Sequence, residues 1–254
     1  MKHNRFNSCA IVLACIGLLD GISHAQEAYG NLVTNGGFES VSQGTDKQLG
    51  YSSGPQSYKT DAVGWTTDGY NFLFSPGVAD TTGVTGAYGN LQLWGSNNGG
   101  SVVLPASSPD GGNYIAADGA FGVDPISQTV NGLVIGNEYE VSFWWAAAQQ
   151  FGYNGATTEQ WTVSLGDQTQ STSVYALPEH SFSGWMRETM TFTATSTSAL
   201  LSFLAVGTPE GLPPFALLDG VSLQATAVPE ASTPLIAGAI VCCASFRRRR
   251  NPVV

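Results

Sequence analysis

The sequence predicts an all-β protein whose body is a single two-layer β-sandwich, and three observations lead to this prediction. Apolar and polar residues alternate along several short segments, which is the period of a half-buried strand. Gly, Ser, Thr and Asn are abundant between these segments, as in turn-rich β proteins. Away from the two ends of the chain, no long segment has the 3.6-residue apolar period of a helix.

The clearest strand predictions lie in the second half of the chain, where five segments repeat the alternating pattern. Their inward positions are Tyr139, Val141, Phe143 and Trp145; Trp161, Val163 and Leu165; Met190 and Phe192; Leu201, Phe203 and Ala205; and Phe215, Leu217, Asp219, Val221 and Leu223. Shorter strands are predicted within 31–40, 114–117 and 126–130. Residues 74–112 are predicted to form loops on the rim with one or two short strands. Many short strands separated by turns favour a sandwich.

The first 25 residues have the pattern of a secretory signal peptide. Basic residues precede an apolar run over residues 9–19, and small residues occupy the positions before a cleavage site after Ala25. A lipoprotein signal that uses Cys15 is an alternative, although the apolar run continues past this cysteine. The pattern predicts an exported protein.

The other end of the chain has a short apolar segment, about residues 231–246. At about 1.5 Å per residue such a helix is roughly 24 Å long, shorter than a hydrocarbon core of about 30 Å. A basic cluster follows at once and indicates the cytoplasmic side; it consists of Arg247, Arg248, Arg249 and Arg250. The short length favours a transient stop-transfer segment over a lasting anchor.

This end resembles the PEP-CTERM sorting tail over roughly residues 228–250. The resemblance rests on Val228, Pro229 and Glu230, the short apolar segment and the terminal arginines. It implies a bacterial protein of the cell surface or biofilm matrix that passes through the export machinery and an exosortase-type processing enzyme. The chain departs from the family at Ala231, where a second proline is usual. We therefore divide it into a signal peptide (1–25), a sandwich (26–227) and a sorting and anchor segment (228–254).

The charge of the body narrows the classes of partner. Residues 26–227 carry three basic and 17 acidic residues, a net charge of −14. Such a body has no basic cluster to neutralise phosphate, which excludes nucleic acid as a partner. It is compatible with divalent cations and neutral sugars. All four cysteines lie in the two ends, so the body has to be stabilised by its core or by metal.

The body resembles the galactose-binding-like jelly rolls, which include many carbohydrate-binding modules. The motifs that carry the resemblance are, in chain order, Asn35-Gly-Gly-Phe-Glu39, Gly64-Trp65, Gln128…Gly132-Leu133…Gly136…Tyr139…Phe143 and Leu218-Asp219-Gly-Val221-Ser-Leu223. It covers nearly all of residues 31–224 and implies binding of a glycan or matrix polymer. Where such domains commonly read Asp-Asp-Val, this chain has Gly220 as the second residue.

A structural Ca²⁺ site is one hypothesis for Asp219. This carboxylate is predicted to share an apolar face with Leu217, Val221 and Leu223, where an unpaired charge is costly. The resemblance places a Ca²⁺ ligand at Glu39, beside the last strand, so Glu39, Asp219 and carbonyls near Gly37 would hold the ion. The alternative is that Asp219 accepts hydrogen bonds from backbone amides at a strand end.

Aromatic residues off the core pattern are the candidate ligand-binding residues, because sugar rings stack on flat aromatic faces. These candidates are Tyr70, Trp94, Trp144, Phe151 and Tyr153.

We do not expect an enzyme. His180 is the only histidine of the body, and a catalytic zinc site is difficult to build from one histidine without cysteine. A glycosidase needs only two carboxylates, such as Glu138 and Glu140, so a glycan-active hydrolase remains an alternative. The other alternative is a structural or adhesive surface protein without a small ligand.

Overall fold

The computed structural model describes residues 30–226, and these residues contain strands and turns but no helix. The strands are β1 (Lys47–Leu49), β2 (Lys59–Thr60), β3 (Asn71–Phe74), β4 (Val84–Gly86), β5 (Gly89–Leu91), β6 (Tyr114–Asp118), β7 (Ile126–Asn131), β8 (Glu138–Gln149), β9 (Thr157–Leu165), β10 (Gln168–Ser171), β11 (Tyr175–Leu177), β12 (Met186–Thr193), β13 (Ser198–Thr208) and β14 (Pro214–Ala225). The predicted signal peptide and sorting segment lie outside the described residues. No helix that could cross a membrane occurs within 30–226.

The strands form two sheets that pack as a sandwich. The larger sheet has the order β12-β8-β14-β6-β3-β1-β4-β5, with β2 beside β1, and the smaller sheet has the order β10-β9-β13-β7, with β11 beside β9. From β6 to β9, and again from β11 to β14, each successive strand lies in the opposite sheet. This alternation is the connectivity of a jelly roll. The predicted all-β jelly-roll sandwich is confirmed.

The main core lies between the two sheets and follows the predicted alternation. Phe203 is at its centre, with ring centroids 5.2 Å from Phe143, 6.1 Å from Trp65 and 6.1 Å from Trp161. All four side chains are buried. The five alternating segments are confirmed as strands β8, β9, β12, β13 and β14, whose core-facing residues bury the apolar surface that stabilises the sandwich. In β14 the predicted inward positions are right for Val221 and Leu223, whereas Phe215 and Leu217 face the outer side of the larger sheet.

A second apolar cluster covers the outer face of the larger sheet. Segment 75–113 lies over this face, so β3 and β6 are buried on both sides. The cluster contains Phe72, Phe74, Leu91, Leu93, Leu104, Tyr114, Phe182, Phe215 and Leu217. The prediction that this segment is a rim loop is therefore wrong in position, although its two short strands are present as β4 and β5. Apolar residues point outward from β3, β6 and β14, and a cover removes them from water.

The predicted strand within residues 31–40 is wrong. Asn35 (φ 54°) and Phe38 (φ 57°) adopt the left-handed conformation, which interrupts an extended chain. The segment still lies beside β14, since the Leu32 amide donates to the Leu223 carbonyl at 2.9 Å. A Cβ on Gly36 would lie 1.9 Å from the Val221 carbonyl oxygen, so this close approach requires glycine.

A bulge in β14 changes the face on which Asp219 lies. The register against β8 shifts between Asp219 and Ser222, and Gly220 has a φ of 57°. Asp219 follows Leu217 on the outer face, whereas Val221 and Leu223 belong to the core between the sheets. The prediction that Asp219 shares a face with Leu217, Val221 and Leu223 is therefore right for Leu217 and wrong for Val221 and Leu223.

Candidate functional site

A pocket of about 420 Å³ opens where the ends of β6 and β8 meet the beginnings of β3 and β14. We call it the aromatic pocket. Its lining residues are Tyr70, Tyr88, Asn90, Asp118, Ala120, Phe121, Gln150, Tyr153, Gly211 and Pro213. The volume falls within the roughly 300–1,000 Å³ that is usual for small-ligand sites. The pocket therefore has the size to enclose a short oligosaccharide segment.

Three aromatic rings meet at one side of this pocket. The Tyr70 ring lies 5.7 Å from Tyr88 and 5.3 Å from Phe121, and Tyr88 lies 5.7 Å from Phe121. Tyr70 packs edge-on against the buried Phe72 ring at 4.6 Å. Tyr88 is 74 % exposed and Phe121 is 51 % exposed. Tyr70, which is held by Phe72, and the exposed rings of Tyr88 and Phe121 together give a flat apolar surface on which the face of a sugar could stack.

Asp118 is the carboxylate of the aromatic pocket and ends β6. Its Oδ1 accepts hydrogen bonds from the Ala120 amide at 2.8 Å and the Phe121 amide at 3.0 Å, which fixes the turn that carries Phe121. Its buried Oδ2 has no hydrogen-bond partner. Burial raises the pKa of Asp118 to about 6, and the two amide hydrogen bonds oppose this rise. Asp118 is therefore a buried acceptor with spare capacity.

Tyr70 is the hydroxyl donor on the same side of the pocket. Burial raises the pKa of Tyr70 to about 12, and the negative charge of Asp118 adds to this effect. The hydroxyl thus stays protonated at any physiological pH. Asp118 itself is 1 % exposed, so Asn90 and Gln150 are the more accessible polar side chains of the lining.

Two predicted candidates, Trp94 and Phe151, form a separate group with His180. The Trp94 ring lies 4.5 Å from Phe151 and 3.8 Å from the imidazole, which covers one face of the indole. The Trp94 Nε1 donates to the Tyr153 carbonyl at 2.9 Å. Neither Trp94 nor Phe151 lines the aromatic pocket; they hold the segment that carries Tyr153.

His180 has neighbours that differ from those of a catalytic triad. Its Nε2 lies 2.7 Å from Asn154 Oδ1 and 3.4 Å from Glu179 Oε1. Its backbone carbonyl accepts a hydrogen bond from the Ser101 amide at 2.8 Å. Its ring packs on Trp94, so these contacts favour a structural role in this loop.

The fifth aromatic candidate, Trp144, lies elsewhere, on β8 opposite Asp219. Its ring is half-buried, and the Arg187 guanidinium lies 5.7 Å from the ring centroid. The structure thus brings Tyr70 and Tyr153 into one pocket and separates them from the other three candidates.

Acidic side chains from three parts of the chain converge beside Gly37. The position of a Cβ on Gly37 would be 3.2 Å from Asp110 Oδ2 and 3.9 Å from Asp219 Oδ1. Asp219 is fully buried and accepts hydrogen bonds from the Ser108 hydroxyl and the Gly220 amide. Burial raises the pKa of Asp219 to about 7; the two hydrogen bonds oppose this rise, and the charges of Asp110 and Glu39 add to it.

The donor chemistry of this cluster suits a hard divalent cation. All the side-chain donors are oxygens, and like-charge repulsion among them would be relieved by a cation. One oxygen of Glu39 is already used, since its Oε1 accepts the Asn113 amide at 2.7 Å. No group of three or more metal-binding side chains with suitable spacing is found in residues 30–226. A cation here would therefore need backbone carbonyls or water as further ligands.

Comparisons with known proteins give similarities to solved structures only. No family model matches the sequence, and a search of curated proteins finds no match. The chain is similar to the structure of TmCBM61 in complex with β-1,4-galactotriose, with 13 % identity and a TM-score of 0.37 over 77 % of this chain and 99 % of that chain.

Two further solved structures are similar to this chain. One is the CBM22-1 xylan-binding domain of Xyn10C from Paenibacillus barcinonensis, with 13 % identity, a TM-score of 0.38, and coverage of 80 % of this chain and 98 % of that chain. The other is an arabinose-bound α-L-arabinofuranosidase, MgGH51, with 13 % identity, a TM-score of 0.39, and coverage of 81 % of this chain and 28 % of that chain.

Sequence reasoning missed six residues used in describing these sites, namely Tyr88, Asn90, Asp110, Asp118, Phe121 and Gln150. Tyr88 and Phe121 each directly precede a glycine in a turn, Gly89 (φ 103°) and Gly122 (φ 56°). An aromatic residue that precedes a glycine in a polar loop is not part of an alternating strand, so its ring has no sheet face to pack on. Tyr88 and Phe121 could have been identified from the sequence in this way. Asp110 had no such signal, because only the path of segment 75–113 brings it to β14.

Proposed function

We propose that residues 30–226 form a non-catalytic module that binds a neutral glycan in the aromatic pocket. The observation that carries this proposal is the meeting of Tyr70, Tyr88 and Phe121 with the polar side chains of Asn90, Asp118 and Gln150 around one pocket of about 420 Å³. Aromatic faces cover the apolar face of a sugar ring, and amide and carboxylate groups bind its hydroxyls.

Charge supports a neutral ligand over an anionic one at this pocket. Asp118 is its only charged lining residue, and no lysine or arginine lines it. A polyanion would meet a buried carboxylate without a compensating cation, which is unfavourable.

The carboxylate count supports binding over hydrolysis. Two carboxyl groups about 5–10 Å apart flank the scissile bond in most glycosidases. One carboxylate lines this pocket. Glu138 and Glu140, the pair considered from the sequence, lie exposed at the start of β8 and outside the pocket.

Removing an exposed ring tests the glycan proposal. We expect the protein to bind one or more neutral oligosaccharides on a glycan array, and Tyr88→Ala to weaken that binding about ten-fold or more, equivalent to about 1.4 kcal/mol. Tyr88 is mostly exposed, so this change should leave the fold intact. Isothermal titration with the best array ligand measures the loss.

Ile135→Ala is the matched control, because Ile135 is also an exposed apolar residue but lies outside the pocket lining. It should bind as the wild type does. An array without neutral-glycan binding, or equal losses in the two variants, would contradict the proposal.

We also propose that the protein reaches the bacterial cell surface or extracellular matrix. The support is the signal-peptide pattern before Gln26 and the tail that begins at Val228, which imply export machinery and an exosortase-type enzyme as partners. The mass of the mature chain tests this, with a first residue of Gln26 expected. A chain that retains Met1 would contradict it.

The acidic cluster leads us to propose a structural Ca²⁺ held by Glu39, Asp219 and carbonyls near Gly37, with water as the remaining ligands. The bound ion would neutralise like charges that crowd a buried carboxylate. We expect saturating Ca²⁺ to raise Tm by roughly 5–10 °C over a sample in EDTA, from the usual linkage of binding to stability.

A pair of conservative variants sharpens the Ca²⁺ experiment. Asp219→Asn should remove the difference in Tm between Ca²⁺ and EDTA. Asp167→Asn changes an exposed carboxylate that is not one of the proposed Ca²⁺ ligands, and this variant should retain the difference in Tm. Equal Tm values for the wild type in Ca²⁺ and EDTA would exclude the ion.

A further inference from the structure

A second pocket, of about 460 Å³, lies beside β1 and β2 and differs from the aromatic pocket in charge. We call it the lysine pocket. Its lining residues are Gln43, Lys47, Tyr51, Pro55, Gln56, Ser57 and Lys59. The two pockets share no lining residue, so the proposal made below for the lysine pocket is independent of glycan binding in the aromatic pocket.

The lysine pocket concentrates most of the positive charge of the body. Residues 30–226 contain 16 acidic residues and only three basic ones, of which Lys47 and Lys59 both line this pocket. No acidic residue lines it.

Both ammonium groups lack a protein partner among the described residues. The only ion pair within 30–226 joins His180 and Glu179, so neither lysine has a carboxylate within 4.0 Å. Lys47 and Lys59 are nevertheless half-buried rather than fully extended into water. Six N–H donors are thus available at one pocket.

The local fold fixes where the Lys59 ammonium lies. Pairing of β2 with β1 sets Lys59 opposite Gln48. The Lys59 Nζ lies 3.6 Å from the position of a Cβ on Gly50 and 3.7 Å from that of a Cβ on Gly54. The ammonium therefore rests over a turn with no side chains at these two positions, which leaves its other side open to the pocket.

We propose that the lysine pocket binds a saccharide that bears an oxyanion, such as the carboxylate of a uronic acid. An ammonium group of this pocket can bind the oxyanion through charge-assisted hydrogen bonds, and the second adds to the local positive charge. The half-buried Tyr51 ring offers a face to the sugar, and the side chains of Gln43, Gln56 and Ser57 can pair with its hydroxyls. This ligand class differs from the neutral glycan of the aromatic pocket.

The charge of the whole body favours a ligand with isolated negative charges. A net charge of −13 over residues 30–226 repels dense polyanions such as nucleic acid at long range. Attraction by the lysines acts at short range, about a Debye length of 10 Å at 0.1 M salt. Binding should therefore weaken steeply with salt and discriminate against single-stranded DNA.

Titration with defined probes tests this site on the mature protein. The probes are a uronic-acid tetrasaccharide, its carboxyl-reduced neutral counterpart, a sulfated tetrasaccharide and a single-stranded DNA oligomer. We expect saturable binding of the uronic or the sulfated probe, and whichever binds identifies the oxyanion. Carboxyl reduction, or raising the salt from about 20 mM to about 500 mM, should weaken binding roughly ten-fold or more.

Matched variants localise the binding. Lys59→Gln should weaken it about five- to ten-fold, whereas Lys59→Arg should retain it, as expected for one charge-assisted contact. Arg187→Gln makes the same change in net charge elsewhere and should have little effect. Tyr88→Ala should leave this binding unchanged, so failure here is separable from failure at the aromatic pocket.

Three results would overturn the proposal. These are no saturable binding of either anionic saccharide, equal losses in Lys59→Gln and Arg187→Gln, and binding of DNA as tight as that of the saccharides.

Discussion

We expect the protein to lose several kcal/mol of stability as the pH rises from about 5 to about 8. Burial raises the pKa of Glu159 from 4.5 to about 8 and that of Asp118 from 3.8 to about 6. The hydrogen bond from the Thr157 hydroxyl opposes the rise in the pKa of Glu159. The second carboxylate oxygen of Glu159, Oε2, has no hydrogen-bond partner. The folded state therefore holds protons that the unfolded state has released.

The direction in which stability changes with pH follows from this difference in bound protons. The stability that the protonated groups provide is fully present below about pH 4, where both states are protonated. It falls as the pH passes through the folded pKa values of about 6 and about 8. Each unit of difference in pKa corresponds to about 1.4 kcal/mol, so the two groups together account for several kcal/mol.

Urea denaturation at a series of pH values in EDTA measures this effect. Glu159→Gln should flatten the dependence, with the variant more stable than the wild type at pH 8 and no more stable at pH 5. Wild-type stability that rises between pH 5 and pH 8 would contradict the burial of Glu159 in its protonated form.

Trp161→Ala is expected to cost about 4 kcal/mol or more of the free energy of unfolding. Trp161 is fully buried on β9 of the smaller sheet, and its Nε1 donates at 3.0 Å to the Leu217 carbonyl of the larger sheet. Truncation leaves a cavity beside Phe203, and a buried Trp or Phe to Ala change costs about 3–5 kcal/mol. Loss of the side-chain hydrogen bond adds about 0.5–1.5 kcal/mol.

Two further variants separate the cavity from the hydrogen bond. Trp161→Phe should lose less, because it keeps most of the ring and removes only the donor. Trp144→Phe should lose about 1 kcal/mol or less, since Trp144 is half-buried. Urea midpoints at an unchanged m-value measure these differences. A Trp161→Ala midpoint close to the wild type would contradict the packing described between the two sheets.

The sandwich could be predicted from the sequence because most strands of the second half of the chain have one buried face. In β9, burial alternates from Thr157 to Leu165, so the apolar and polar residues of this strand alternate with a period of two. The same reasoning misses β3, where both faces are buried and the pattern disappears; β6, also buried on both faces, was predicted within 114–117 as a short apolar run before a turn. It also fails at Gly220, because one inserted residue reverses every later side chain.

The candidate sites were less accessible to prediction for a different reason. Tyr70 and Tyr153 were recognised because they lie off the core pattern, but their meeting with Tyr88 depends on how four loops pack. Lys47 and Lys59 are twelve residues apart in the sequence, and only the pairing of β1 with β2 brings them to one pocket. Long-range contacts of this kind carry no local sequence signal.

A crystal structure of the protein with the neutral oligosaccharide that binds best on the array is the most direct test of the central proposal. We expect a sugar ring against Tyr88 or Phe121, with a hydroxyl within hydrogen-bonding distance of Asn90, Asp118 or Gln150. A sugar bound outside these residues, with the aromatic pocket left to water, would contradict it.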